Sequence, residues 1–359
     1  MEKSKVNSLQ VLSLFIMIVG GPITGMNLTY IFNTAGVDSY LCPLIAAIMG
    51  IPLLFIFKCI FDYKPELTLG QKVNYIFGKH MGCIINLLLI SMAVIFSMTM
   101  YFNLSDFIVS QFLPETPTKI IGIVFGIAII YLNFKGIETI SRVGLILFVM
   151  TFILFLITEF GLYQTFDVSN IKPFLEFGIS NPIKGAVHML CVNYFPIFLL
   201  LTIPKKQITD GEKLVKGLSI TYAISAILVF IIIFFMMGNL GIDLAKFYQY
   251  PEYIVLKRIS LFNFLDRIEN ILSLQRLLKM FVYLVVLAFF ISNTLKPHNK
   301  SKFISIITVA FLFLLAHNSF SNNTQFNTFV VNYISLFRTI FLGLIIIILI
   351  GSKIKKNKY

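Results

Sequence analysis

Ten apolar runs, most of them about twenty residues long, decide what this chain can fold into. They are read at 9–32, 38–61, 83–109, 119–135, 140–163, 182–204, 216–239, 269–294, 302–317 and 333–352. A run of that length matches the hydrocarbon thickness of a bilayer when it is helical. No water is available there to satisfy free peptide groups, so runs of this length must close their hydrogen bonds internally as helices. The expectation is an all-α membrane fold of ten transmembrane helices. Only 13% of the residues are charged, against 58% hydrophobic, which leaves no material for a large soluble domain. A single polytopic domain is expected over 1–352, followed by a basic cytoplasmic tail at 353–359.

The net charge is +13, but the basic residues sit in short loops rather than in a patch. That excludes a nucleic-acid surface and points to topology instead. With both termini inside, nineteen basic residues fall in inner segments and seven in outer ones. The outer loops at 33–37 and 318–332 carry none. The four cysteines, Cys42, Cys59, Cys83 and Cys191, form no CxxC pair, so no metal or cofactor is expected from them.

Ten spans divide into five and five. Five is odd, so the two halves, about 9–163 and 182–352, would enter the membrane from opposite faces as inverted repeats. Such folds place a solute site where the first helix of each half is interrupted. The first span contains Gly20-Gly21-Pro22-Ile23-Thr24-Gly25 in its middle, poor material for a continuous helix. Span six contains Asn193-Tyr194-Phe195-Pro196 at a similar depth. Pro196 frees the carbonyl of Val192, and Asn193 can supply a contact. The expected fold is thus a 5+5 inverted repeat with discontinuous helices one and six. The expected ligand-binding residues are Gly20, Gly21, Pro22, Thr24, Gly25, Asn193, Tyr194 and Pro196. Bare N–H groups at one break suit a carboxylate, and bare carbonyls suit an ammonium group, which together describe an α-amino acid. The same glycines also serve close helix packing.

Ionisable groups inside spans need partners. Glu269, Arg276 and Lys279 lie in span eight and Arg338 in span ten. Glu269 and Arg276 are seven apart and share a face, so Glu269 is expected to pair with Arg276 or Arg338 in a structural or gating contact. Span five contains no Lys. Tyr101 reads as an interfacial aromatic. His188 in span six and His317 at the end of span nine read as packed, hydrogen-bonded residues. The sequence has no HExxH, GxSxG or phosphate loop, so an enzyme is not expected. A membrane acyltransferase using His188 or His317 is the weakest alternative. Two further segments read as surface helices: Leu67–His80 on the inner face, and Tyr250–Asp266 outside as a helix or lid.

Several of these stretches resemble the spore germination permeases, the B subunits of germinant receptors within the amino acid–polyamine–organocation superfamily. The resemblance is carried by the broken first helix, LTLGQKVNYIFGKHMG at 67–82, LPETP at 113–117, GIETISR at 136–142 and YPEYIVLKRISLFNFLDRIENI at 250–271. The family often has Trp soon after the Glu that ends the last stretch. Here Gln275 and Arg276 stand instead. The resemblance implies a multi-pass receptor subunit of the spore inner membrane. It would bind a small germinant such as an amino acid and act with an A subunit and a C-subunit lipoprotein. A secondary amino acid transporter with a full transport cycle is the alternative.

Overall fold

The computed structural model describes residues 5–23, 26–175, 178–257, 269–295, 302–320 and 322–356. Among these the chain is helical, with one isolated parallel bridge between Val6 and Ile208. The first passage is split into α1 (Ser8–Gly20) and α2 (Met26–Ala35). A turn at Gly36, whose φ of +62° suits glycine, reverses the chain. A 3₁₀ stretch (Gly36–Leu41), α3 (Cys42–Met49) and α4 (Ile51–Asp62) make the second passage. Next come α5 (Leu69–Gln111), α6 (Thr118–Lys135) and α7 (Ile137–Gln164). The sixth passage is composite: α8 (Ser180–Met189), a π-helical turn (Leu190–Tyr194) and a 3₁₀ stretch (Phe195–Thr202). The rest is α9 (Gly211–Phe247), the short α10 (Pro251–Lys257), α11 (Glu269–Leu295), α12 (Lys302–Ser319) and α13 (Asn323–Lys356).

By length and composition eight continuous helical stretches could cross a membrane, with Ser8–Gly20 and Phe303–Ser319 as shorter apolar helices. The ten expected runs are recovered because one of the eight, Asn27–Asp62, turns at Gly36 and contains half of the first passage and all of the second. Two ends differ from expectation. The surface segment at 67–80 and span three share α5, which bends at Gly78, where φ is +80°. Its start is a capping box, with Thr68 and Gln71 bonded reciprocally. The basic tail starts as helix: Lys353, Lys355 and Lys356 ride the last turn of α13, where positive charge is favourable. Of the outer segment 250–266, α10 is described, and residues 258–266 lie outside the described residues.

Burial orders the helices. Of the most apolar window, 28% is buried in α6 and in α7, but 89% in the sixth passage. Ile123, Ile127, Ile153 and Leu156 therefore point outward, as lipid-facing side chains do. The interrupted sixth passage runs through the protein interior. There its irregular backbone meets protein rather than lipid, as membrane burial requires. α11 also lies inside, packed on α1, α5 and α7.

One end of the bundle gathers the segments assigned to the inner face. Lys205 bonds Asp62 at 2.9 Å and Glu212 at 2.7 Å, and Lys206 bonds Glu66 at 2.5 Å. Val6 N–H donates to Gln207 (2.8 Å), and Thr209 N–H donates to Val6 (2.9 Å). Val6 and the 62–66 and 205–212 segments thus share one end.

Candidate functional site

Both expected interruptions exist. α1 stops at Gly20, and the chain turns through Gly21–Ile23. Thr24 and Gly25 lie outside the described residues. Gly20 and Gly21 let α11 approach closely. A Cβ on Gly20 would sit 3.0 Å from Lys279 Cδ, and one on Gly21 would sit 3.3 Å from Tyr283 Cβ. The packing role of these glycines is therefore realised.

Several of the carbonyls at the interruptions have side-chain donors. Asn193 Nδ2 donates to the Val19 carbonyl at 2.8 Å, and Asn27 Nδ2 to the Pro22 carbonyl at 2.5 Å. In the sixth passage Arg338 Nη1 donates to the Val192 carbonyl and lies 3.4 Å from that of Cys191. These are the groups that Pro196 and the π-turn release. Arg338 is 1% exposed and lies 4.8 Å over the Phe96 ring. Its partner is thus the broken backbone of the sixth passage and not Glu269, as the charge pattern had suggested. A guanidinium has five donors, enough to serve backbone carbonyls without a carboxylate.

The second interruption is closely packed. Asn193 and Tyr194 are 2% and 1% exposed, and Pro196 is buried with them. The Tyr194 ring lies 4.6 Å from that of Tyr222. None of the three borders the cavity at the first interruption. The cavity nearest the first break, about 70 Å³, opens on its other side, among α1, α7, α9, α10 and α11. Gly20 and Ile23 border it at the break, with Glu159 from α7, Ser225 from α9, and Gln275 and Lys279 from α11. At roughly 10–15 Å³ per water, it holds several waters or a small solute.

Glu252 of α10 and Arg276 of α11 also line this cavity. The Arg276 guanidinium is 2.7 Å from Glu252 and 2.6 Å from Asn103 Oδ1. It is flanked by the rings of Phe107 (4.1 Å) and Tyr250 (4.5 Å). Tyr250 in turn donates to Asp106 at 2.8 Å. The expected Glu269–Arg276 contact is therefore replaced. Seven residues along one helix separate two side chains by about 10 Å of rise, whereas α10 brings Glu252 to contact distance. Glu269 is buried, and its Oε2 finds no hydrogen-bond partner among the described residues.

Tyr101 is 1% exposed and donates to the Gly122 carbonyl at 2.7 Å. It ties α5 to α6 rather than sitting at an interface. His188 behaves as a packed residue: Nδ1 is 2.8 Å from Ser335 Oγ, Nε2 is 3.4 Å from Asn27 Oδ1, and its ring stacks on Tyr30 at 4.1 Å. His317 Nδ1 is 3.0 Å from the Phe313 carbonyl.

Sequence reasoning missed Glu159 and Glu252, named Asn103 and Asp106 beside Tyr101 near the outer end of span three without giving them partners, and gave Lys279 none either. Glu159 alone carried a signal, as a carboxylate four residues before the end of span five as read. Glu252 lies outside any span, and nothing in the spacing ties Asn103 to Arg276.

Comparison with known proteins agrees with this architecture. A family model described as "Spore germination protein" matches residues 5–323. Spore germination protein KB of Bacillus subtilis (strain 168) is 23% identical over 311 residues, covering 84% of this chain and 82% of that protein. Spore germination protein XB of Bacillus anthracis is 22% identical over 298 residues, covering 79% and 80%. Among solved structures, the Eremococcus coleocola manganese transporter in complex with an aromatic bis-isothiourea compound superposes with a TM-score of 0.65. It is 12% identical and covers 97% of this chain and 81% of the transporter. Mhp1, a nucleobase-cation-symport-1 family transporter in a closed conformation with bromovinylhydantoin bound, gives 0.63 at 13% identity, covering 91% and 75%. At such identities the likeness carries the fold alone.

Proposed function

Because the chain belongs to the spore germination protein family, we propose that it is the membrane-embedded B-type subunit of a germinant receptor, binding a small germinant, an amino acid, near the membrane midplane to trigger germination. The observation that carries this reading is the pair of interruptions in passages one and six beside a solute-sized cavity. Regular helix would suffice for a purely structural membrane protein. Two interruptions whose carbonyls are held by Asn193, Asn27 and Arg338 support a solute site, because transporter folds bind solute at such breaks.

Gly20 lines the cavity itself, and Gly21 and Pro22 form the turn beside it. In this reading Asn193, Tyr194 and Pro196 hold the sixth passage in shape rather than touch the solute. Arg276, with Glu252, closes the outer approach. Germinant binding must favour one helix arrangement over another, since only differential affinity shifts a population. The α10 segment, tied down through Arg276–Glu252 and Tyr250–Asp106, is the element whose release would accompany that shift. The receptor would sit in the spore inner membrane with both termini inside, and act with an A subunit and a C-subunit lipoprotein.

Spores lacking the chain, challenged with the twenty amino acids singly, are expected to lose the response to at least one of them. An unchanged response to all would end the receptor reading. A second reading, a secondary amino acid transporter, is favoured by the fold shared with solved transporters. Uptake of labelled amino acid into vesicles by the purified chain alone would establish it.

A further inference from the structure

We propose that Glu159 and Lys279 are the charge-reading pair of the cavity: Glu159 takes the ammonium group of a small aliphatic amino acid and Lys279 takes its carboxylate. The inference rests on the receptor reading above, and replaces bare backbone with two named side chains as the groups that recognise a zwitterion.

Three observations meet here. Glu159 is 8% exposed, and its Oε2 has no hydrogen-bond partner among the described residues. Lys279 lies along the end of α1, its methylenes against Gly20. Both side chains border the same cavity. No ion pair within 4.0 Å joins them among the described residues. A pair kept for stability alone would close to contact, because separated charges in a low-dielectric interior are costly. Arg276 and Glu252, bordering the same space, do close to 2.7 Å. An open pair beside a cavity is complementary to a molecule that brings one charge of each sign.

The other walls set the side-chain class. Val229, Ile232 and Phe155 line the cavity, so the third substituent on the zwitterion's α-carbon meets apolar surface. The 70 Å³ volume suits a short aliphatic chain and excludes an indole. The Val19, Pro22 and Val192 carbonyls at the interruptions already have side-chain donors, and Glu159 offers the ammonium group a carboxylate on the cavity wall.

The test uses the purified full chain in detergent with three matched probes: an L-amino acid, the amine lacking its carboxylate and the acid lacking its amine, run for alanine, valine and leucine. The wild-type chain is expected to bind one of the amino acids and to discriminate against both analogues. Lys279→Gln is expected to weaken the amino acid about tenfold or more, the loss of a charge-assisted hydrogen bond, and to erase discrimination against the amine. Glu159→Gln is expected to do the same for the acid. Ile232→Trp fills the cavity without touching either charge and is expected to abolish binding, which covers the case in which a charge variant does not fold.

Wild-type affinity and discrimination in these variants would overturn the assignment. So would a wild-type chain that binds none of the three amino acids. In spores the two levels separate. A response that needs the chain but is unaltered by E159Q and K279Q removes this cavity and leaves the receptor reading standing. A response that does not need the chain removes the receptor reading itself.

Discussion

The Asn193 side-chain amide donates to the carbonyl of Val19 at 2.8 Å, so the interruption of the sixth passage is fastened to the last turn of α1. One hydrogen bond joins the two irregular segments on which the fold depends.

Asn193→Ala removes the donor and leaves the Val19 carbonyl buried. An unsatisfied buried acceptor costs about 1–3 kcal/mol. The detergent-solubilised protein is expected to melt at lower temperature, and Asn193→Gln to recover little, because the longer chain moves the amide. Asn193→Ala with an unchanged melting temperature would show that the bond does not hold the breaks together.

Arg338 serves the carbonyls of Val192 and Cys191. Arg338→Met keeps most of the volume but supplies no donor, and is expected to destabilise by about 1–3 kcal/mol for each acceptor left bare. Arg338→Lys retains one charged donor and should fall between wild type and Arg338→Met. Charge reversal of Glu269 should not mimic either variant, since Arg338 does not depend on it. Unfolding measurements on the four proteins side by side decide the order.

The Arg276–Glu252 pair is nearly fully buried, with side chains 1% and 3% exposed. Removing one partner of such a pair costs about 3–5 kcal/mol, because the other charge is stranded. Glu252→Ala is expected to loosen α10 and open the cavity on the α10 side. The readout is thiol labelling of Ser225→Cys in a background lacking Cys42, Cys59, Cys83 and Cys191, which should be faster with Glu252→Ala. Equal labelling rates would mean that the pair is not a closure.

Exposure predicts the opposite for Lys206 and Glu66, whose side chains are 60% and 59% exposed. Lys206→Ala is expected to change stability by less than about 1 kcal/mol. A large loss in the same melting assay would contradict this ranking of the ion pairs.

The sequence by itself determined the membrane class, the ten runs, the places where two helices must stop and the family. Each of these is local. Run length meets bilayer thickness, Gly20-Gly21-Pro22 cannot continue a helix, and Pro196 has no N–H to donate, wherever the neighbours are. Partnership is not local, and only the tertiary structure decided it. Glu252 reaches Arg276 from a different helix 24 positions earlier, and Asn193 reaches Val19 across 174 positions. Arg338 reaches Val192 across 146. No spacing rule within one helix could have found them, because helix periodicity tells which side chains share a face and says nothing of what that face will meet. The same limit hid the cavity. Glu159, Gly20 and Lys279 lie on three separate helices, and they meet only once α7, α1 and α11 are packed together.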